Sequence, residues 1–389
     1  MQTAYFTMNT EKAGAYNNHV IIKCFKFKDM EKNNESKRSF SRRKFLGSTA
    51  ALAAFSMVPL RFSSKRDPVA KPAPAAKPDS KFGGVQIGAI TYSWRDQPSG
   101  IENIIKYCTT AGISSIELMS GDLEEYLGAP KNPMMGMFGP PPKPVKAPEG
   151  TPAAVTPPPP PQRRELTQEQ KDSIAKYNTE MKAWRVALPM SKFEGARKLF
   201  DDAGIKIHIV KFSPARWSDE EIDYTFKAAK IMGAKGVTEE LSMDNVKKLA
   251  PFAEKNGMYA IFHQHMQFAE KPGFNYDDFM TISPAVMFNF DGGHFFGSTG
   301  IHPNTIIEKY HDRIVSIHMK DKTGPKTDPP NTNQVWGQGQ SPIEDILLLI
   351  KQKGWPIFCD IELEYDVKPW SNSVKEVKTC VNYARQILM

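Results

Sequence analysis

From Val85 to its C-terminus the sequence predicts a (β/α)₈ barrel, and three observations predict it. Short apolar stretches alternate with amphipathic helical ones, the pattern of a parallel α/β fold. Eight such strands fit into about 300 residues, the size of a barrel with insertions. No glycine-rich phosphate turn follows the first strand, which argues against a doubly wound nucleotide-binding sheet.

The strands are expected at Val85–Tyr92, Ser115–Met119, Lys206–Phe212, Gly236–Leu241, Tyr259–His265, Val286–Phe290, Ile314–Met319 and Ile357–Glu364. Helical patterns fill most intervals, among them Ile101–Thr110, Asp219–Met232 and Asp345–Lys353. Several close on Ala-Gly or Asn-Gly, at Gly112, Gly204 and Gly257, as helix C-caps do. Between the second and third strands, Pro130 to Gln162 is dominated by Pro, Met and Gly, which no helix or strand interior tolerates. This long Pro-rich insertion, bounded at 130–164, is either a lid over the barrel mouth or a surface loop without a catalytic part. Glu165 to Leu199 reads as helix again. The expected organisation is a leader at 1–61, a Pro/Ala/Lys linker at 62–82 and the barrel at 83–389.

The chain carries a formal charge of +8, but residues 1–65 hold 12 Lys/Arg against 4 Asp/Glu, leaving 39 of each in the remainder. The basicity belongs to the leader, which removes the main argument for nucleic-acid binding by the folded part. Ser41-Arg42-Arg43-Lys44-Phe45-Leu46, followed by a mild apolar run from Phe45 to Leu60, has the layout of a twin-arginine export signal. The run is short for a membrane span, which needs about 20 strongly apolar residues. The chain is expected to be periplasmic, or membrane-tethered only if the signal is retained as an anchor. Translation is expected to start at Met30. Cys24, Cys108, Cys359 and Cys380 lack metal-type spacing and read as small buried hydrophobes rather than a disulfide framework.

Catalytic groups of such barrels project from the C-terminal strand ends. There stand Glu239 and Glu240, His263 and His265, Asp291 and His294, His318, Lys320 and Asp321, and Glu362 and Glu364. A single one would be an ordinary polar rim residue. Adjacent strands each offering a carboxylate or imidazole point to a divalent ion such as Mn, Mg, Co or Zn. The alternation of strands puts His263 with His265 on one face, and Glu362 with Glu364 and Asp360 on another.

Asn289-Phe290-Asp291-Gly292-Gly293-His294, Ile317-His318-Met319-Lys320-Asp321 and Ile361-Glu362-Leu363-Glu364-Tyr365 resemble the sixth-, seventh- and eighth-strand motifs of the xylose isomerase-like TIM barrel superfamily. Gly337-Gln338-Gly339 resembles its glycine loop. That superfamily includes sugar phosphate isomerases and epimerases, ketose 3-epimerases, inosose dehydratase and an apurinic-site endonuclease branch. The twin-arginine leader and the His-Gln-His motif resemble its exported members of the sugar phosphate isomerase/epimerase type. The resemblance implies Asp291, His318 and Glu362 as metal ligands, Glu362 also moving a proton, and His294 as a substrate contact. The fifth strand departs from the pattern: epimerases place a metal-binding, proton-abstracting Glu where this chain has His263. That imidazole can ligate the ion but cannot also be the free base, and Glu240 could supply the missing carboxylate.

The expected chemistry is proton abstraction next to a carbonyl on a small-molecule sugar or derivative, by an isomerase or epimerase. Glu362 and Glu240 are the expected acid/base pair, with Lys320 or His294 steadying substrate oxygens and His265 and Trp336 as further contacts. Lys320 could instead pair with Asp321 or Glu362. The same enolisation could expel a β-substituent from a keto-sugar or 3-keto-glycoside, which would make the protein a lyase or hydratase. A non-catalytic sugar-binding barrel is the third reading. Gly324 and the Gly337–Gly339 turn could bind phosphate, whereas Lys322 and Lys326 read as solvated. Tyr92, Trp94, Phe295, Phe296 and Trp336 could stack on a sugar, although packing is the commoner role for any one. The sequence leaves a homo-oligomer open.

Overall fold

The structure, a computed structural model, describes residues 77–133 and 166–389. The chain divides into Met1–Pro72 and Ala73–Met389, and the first unit lies outside the described residues. So do the twin-arginine pattern, Cys24 and all but the first four residues of the Pro-rich insertion. Among the described residues no helix is long and apolar enough to cross a membrane.

Eight parallel strands close into a barrel: β1 (Val85–Ile90), β2 (Ser115–Met119), β3 (Lys206–Lys211), β4 (Gly236–Glu240), β5 (Tyr259–His263), β6 (Val286–Asp291), β7 (Ile314–Met319) and β8 (Phe358–Ile361). Each pairs with its neighbours in sequence, and β8 closes the ring on β1. Five strands (β1, β3, β4, β5 and β8) end earlier than expected, β2 and β7 end where expected, and β6 runs one residue further, to Asp291. Tyr92 lies in a 3₁₀ turn, and His265 and Glu364 lie in the loops beyond β5 and β8. The barrel region also begins earlier than 83: Lys81–Phe82 pairs antiparallel with β1, and the buried Ser80 hydroxyl donates to Ile87 O at 2.6 Å.

Helices occupy the expected intervals, at Ile101–Ala111, Asp219–Ile231 and Ile343–Lys353, and Gly112 and Gly204 end two helices in the left-handed region. The single helix expected from Glu165 to Leu199 is two, Gln168–Ala187 and Lys192–Ala203. Pro189 breaks it, because proline forces the preceding Leu188 into extended backbone (ψ 121°). The first of these helices is fastened by Arg185, which donates to Glu124 at 2.8 and 3.1 Å and to Glu221 at 3.0 Å, all three buried.

The apolar core lies mainly between strands and helices. Inside the barrel, Ile209, Ile261 and Val315 from β3, β5 and β7 form a buried layer, as alternate barrel strands do. The register of β3 with β2 skips His208, a bulge that re-aims its side chain. His208 Nε2 lies 2.8 Å from Asp360 Oδ2, its Nδ1 lies 2.8 Å from Ser115 Oγ, and its ring stacks on Phe358. Gly88 leaves the space for Asp360, since a Cβ there would collide with that carboxylate. The barrel is therefore plugged below its mouth, so chemistry is confined to the C-terminal end. Cys108, Cys359 and Cys380 are buried free thiols, as expected.

Candidate active site

Strand register sets the donors level with one another. Glu240 stands opposite His263, His263 opposite Asn289, and Asp291 and Asp360 both opposite His318. Glu362 lies two residues beyond Asp360 on the same face. His263, Asp291, His318 and Glu362, all buried, each bring one donor atom to within 4.8 Å of the others. Burial pushes the His263 imidazole well below its ordinary pKa, leaving it neutral.

Lys320 enters this cluster from the end of β7. Its Nζ lies 2.7 Å from Asp291 Oδ2, 2.9 Å from Glu362 Oε2 and 3.0 Å from Glu364 Oε2. Burial opposes its charge, but the three carboxylates more than compensate and raise its pKa. Burial alone would raise the Glu362 and Asp291 carboxyls. The Lys320 charge outweighs it and holds both low, and His318 adds to the lowering. Lys320 thus pairs with Glu362, one of its two expected partners. Asp321 turns away: its Oδ2 accepts from Gly337 N and Gly339 N at 2.8 and 2.9 Å, and its Oδ1 from Ser341 N at 3.1 Å.

His318 is oriented by a residue that sequence reasoning missed. Its Nε2 lies 2.7 Å from Glu117 Oε2, and Glu117 also accepts from Asn289 Nδ2 at 2.8 Å and Thr238 Oγ1 at 3.0 Å. A carboxylate behind a ligating imidazole fixes the ring and its tautomer. The signal for it in the sequence is a lone glutamate inside the buried apolar run Ser115–Met119. Gln264, the middle of the His-Gln-His motif, is a second such residue. It donates to Asp291 O, accepts from Asp291 N and accepts from Tyr276 Oη, tying the ends of β5 and β6 together.

These residues fit a divalent ion. The buried Asp291 Oδ2 and Glu362 Oε2 face the Lys320 ammonium, while His263 Nδ1 and His318 Nδ1 are buried without a directed hydrogen bond. His318 Nδ1 stands 2.7 Å from Glu362 Oε2 but off hydrogen-bond alignment, the relation of two atoms converging on a shared cation. Two imidazoles and two carboxylates form a donor set suited to Mn, Mg, Co or Zn. Burial lowers the His318 pKa, but Glu362 and Glu117 raise it well above the ordinary value, so an ion would have to displace a proton from that ring.

Toward solvent lies a second set. His265 Nε2 is 2.9 Å from Glu240 Oε2, and Lys211 Nζ donates to Glu240 Oε1 at 3.1 Å. Glu240's burial raises its pKa, but the His265 bond and the Lys211 charge bring it down to about 2. The same bond raises the pKa of His265. Across from it stands His294, their ring centroids 5.1 Å apart. Asp291 caps the helix Gly292–Thr299 by accepting from His294 N at 2.7 Å, which sets the imidazole at the mouth. His294 Nε2 is 3.8 Å from Asp291 and 3.9 Å from Glu364, and burial depresses its pKa despite them.

The structure therefore gathers His263, Asp291, His318, Glu362 and Lys320 into one cluster, with Glu240, His265 and His294 at its rim. His263 and His265 do come together, their rings edge-on at 4.8 Å with donor atoms that cluster with Glu240. The first is 3% exposed, while the second lies beyond the strand with its side chain half exposed. The pairing of Glu362 with Glu240 as acid and base meets an obstacle, since both carboxyls are held low and occupied by cations. Trp336 is not brought to the site but packs edge-on against Tyr383. Trp94 and Phe295 are likewise buried in packing. Glu239 is a structural anchor, accepting from Ala215 N and Glu240 N. Lys322 is buried rather than solvated and donates to Asn333 Oδ1 at 2.9 Å. The Gly337–Gly339 turn offers no phosphate cradle, because Asp321 takes its amides.

Residues 192–383 match the model of the xylose isomerase-like TIM barrel family. An inosose dehydratase of Clostridium beijerinckii is 34% identical over 84 residues, 21% of this chain and 28% of that protein. One from Lacticaseibacillus casei is 27% identical over 151 residues, 34% of this chain and 50% of that protein. The chain spans half or less of the length of these curated relatives. Among solved structures, a sugar phosphate isomerase/epimerase from Parabacteroides distasonis is 17% identical with a TM-score of 0.46, covering 82% of this chain and 100% of that chain. A xylose isomerase domain protein from Alicyclobacillus acidocaldarius is 12% identical with a TM-score of 0.49, covering 78% of this chain and 98% of that chain.

Proposed function

Residues 192–383 belong to the xylose isomerase-like TIM barrel family, and on that premise we propose that the protein is a lyase that enolises a polyhydroxylated ketone and expels an oxygen substituent from its β-carbon. The observation that carries this reading is the His265–His294 pair. The two rings stand 5.1 Å apart with opposite tendencies. Glu240 favours the protonated form of His265, whereas burial favours the neutral form of His294. Neighbouring groups driven apart in this way mark an acid and a base.

In this reading His294 Nε2 accepts the proton from the carbon next to the carbonyl. The electron pair of that C–H bond becomes the new C=C bond. The C–O bond at the β-carbon breaks, and its oxygen leaves with the pair and takes the His265 proton. Lys320 steadies negative charge developing on the carbonyl oxygen, as a buried preoriented cation does. A divalent ion held by His263, Asp291, His318 and Glu362 would add Lewis acidity that polarises the carbonyl. Glu117 holds the His318 ring in place throughout.

The names of the curated relatives, all inosose dehydratases, favour elimination over epimerisation. So does the replacement of the fifth-strand glutamate by His263. The Ser41–Leu46 pattern supports placing the enzyme outside the cytoplasm. The test is incubation with keto-sugars and inososes in D₂O. Loss of the β-substituent is expected, with the α-hydrogen given up and deuterium appearing at the former β-carbon when the product enol ketonises. Deuterium exchange without loss would favour an isomerase or epimerase instead, and neither event on any ketone would sink both readings.

A further inference from the structure

The ends of β3 and β4 open beside the site into a polar groove of about 650 Å³, lined by Ser213, Arg216, Glu240, Ser242, Asp244 and Asn245. We propose that this groove is a subsite for the leaving group, and that the leaving group is a neutral polyhydroxylated ring. The substrate class would then be a two-ring keto-glycoside rather than a free keto-sugar or a phosphorylated one. The inference rests on the elimination reading of the site.

Position supports it first. Glu240 lines the groove and also holds His265 at 2.9 Å. A group in the groove is therefore one carboxylate away from the His265 imidazole at the rim of the site. Chemistry supports it second. Hydroxyls, a carboxamide, carboxylates and a guanidinium line the groove, with no aromatic face for an aryl group. Such groups form paired hydrogen bonds with vicinal hydroxyls. Charge supports it third: Glu239, Glu240 and Asp244 outnumber Arg216, which opposes phosphate, sulfate or uronate groups. The volume falls within the roughly 300–1,000 Å³ usual for ligand pockets.

The groove is also built rather than incidental. The buried Glu239 carboxylate accepts from Ala215 N at 2.7 Å and Glu240 N at 2.8 Å, fastening the loop after β3 to the end of β4. Ser213 is held in the left-handed region (φ 53°) while its N–H donates to Thr238 O at 3.1 Å. A non-glycine residue in that region is backbone strain of the kind retained at ligand sites.

The position of the ketone follows from the bond broken. Cleaving the glycosidic C1–O bond by elimination requires the proton to leave C2, so the carbonyl is C3. The C2–H pair forms C1=C2, the oxygen departs with the C1–O pair and the His265 proton, and His294 keeps the proton from C2. No oxidant or reductant enters.

The test compares cellobiose with methyl β-glucoside, neither carrying a ketone, for binding to the metal-loaded full chain by calorimetry. Cellobiose should bind at least about tenfold more tightly. The double substitution Arg216→Ala and Asp244→Ala, at exposed positions, should erase that advantage, leave methyl glucoside affinity unchanged and leave the melting temperature unchanged. Equal affinities for the two probes, or tighter binding of glucose 6-phosphate than of cellobiose, would overturn the subsite. Turnover is read separately on the 3-keto forms. No ring release with the affinity difference intact removes the elimination reading and leaves the subsite standing. Elimination from both 3-keto compounds at equal kcat/KM keeps the elimination and removes the subsite.

Discussion

Lys320 Nζ lies 2.7 Å from Asp291 Oδ2, at the centre of a cluster where three carboxylates meet one ammonium. Two of those carboxylates, Asp291 and Glu362, are also candidate metal ligands. The lysine is thus an internal cation that holds the acidic groups together and shares them with any bound ion. Lys320→Met should leave buried carboxylates without that cation and cost about 3–5 kcal/mol in the presence of a chelator. Saturating Mn²⁺ should restore most of the loss, and should stabilise the variant more than it stabilises the parent. Urea denaturation with and without the metal measures both. A variant whose stability ignores Mn²⁺ would count against the four-donor assignment.

The Glu240–His265 pair makes a statement about pH. Glu240 ionises at about 2 in the folded protein against an ordinary 4.5, so its contribution to stability is present above 4.5 and lost as pH falls toward 2. His265 is raised above 6.5, so its contribution is present below 6.5 and lost as pH rises through the folded value. The pair should stabilise most between about pH 4.5 and 6.5, modestly, because both side chains are nearly half exposed. As the proton donor, His265 must be charged, so activity should fall as pH rises through its pKa. Glu240→Gln should move that falling limb to lower pH. NMR titration of His265 beside a pH–rate profile distinguishes this from general damage, which would lower the rate without moving the limb.

Most of the strands were legible in the sequence because both faces are largely buried, which writes a mainly apolar run such as IVSIHM in β7; β4 (GVTEE) is the exception. Asp291, His318 and Glu362 were legible because a charged or imidazole side chain that ends such a run stands at the barrel mouth, where catalytic groups collect. Glu117 escaped because its one local signal, a lone glutamate inside an apolar run, does not say what it partners. Its partner His318 is 201 residues away, and only barrel closure brings them together. The role of Lys320 was open for the same reason: Asp321 is its chain neighbour, yet β7 alternation sends that side chain into the Gly337–Ser341 loop. The break at Pro189 was legible in principle, since proline excludes the residue before it from the helix. The helical pattern on either side masked it.

His208, Asp360 and Ser115 form a buried network below the site that should matter for folding. His208→Leu leaves a fully buried carboxylate without its imidazole and should cost about 3–5 kcal/mol. Ser115→Ala removes only a neutral partner and should cost about 0.5–1.5 kcal/mol. Denaturant midpoints at constant slope give both values. Similar losses for the two variants would mean that His208 is held by stacking on Phe358 rather than by Asp360.

Asp321 decides whether phosphate can bind near the last two strands. Its carboxylate accepts from the backbone N–H groups of Gly337, Gly339 and Ser341, the kind of convergent amides that elsewhere cradle a phosphate. Gly339 admits this because a Cβ there would collide with the carboxylate. With the amides filled by a residue of its own chain, the loop repels anions instead of collecting them. Inorganic phosphate at about 10 mM, enough to saturate a site of about 1 mM affinity, should leave turnover of a keto-sugar unchanged. Asp321→Ala should loosen the 337–341 loop and make the enzyme either sensitive to phosphate or less stable by about 1.5–3 kcal/mol per lost charged hydrogen bond. Competitive inhibition of the parent enzyme by phosphate would contradict the assignment of these amides. It would reopen a phosphorylated substrate as the natural one.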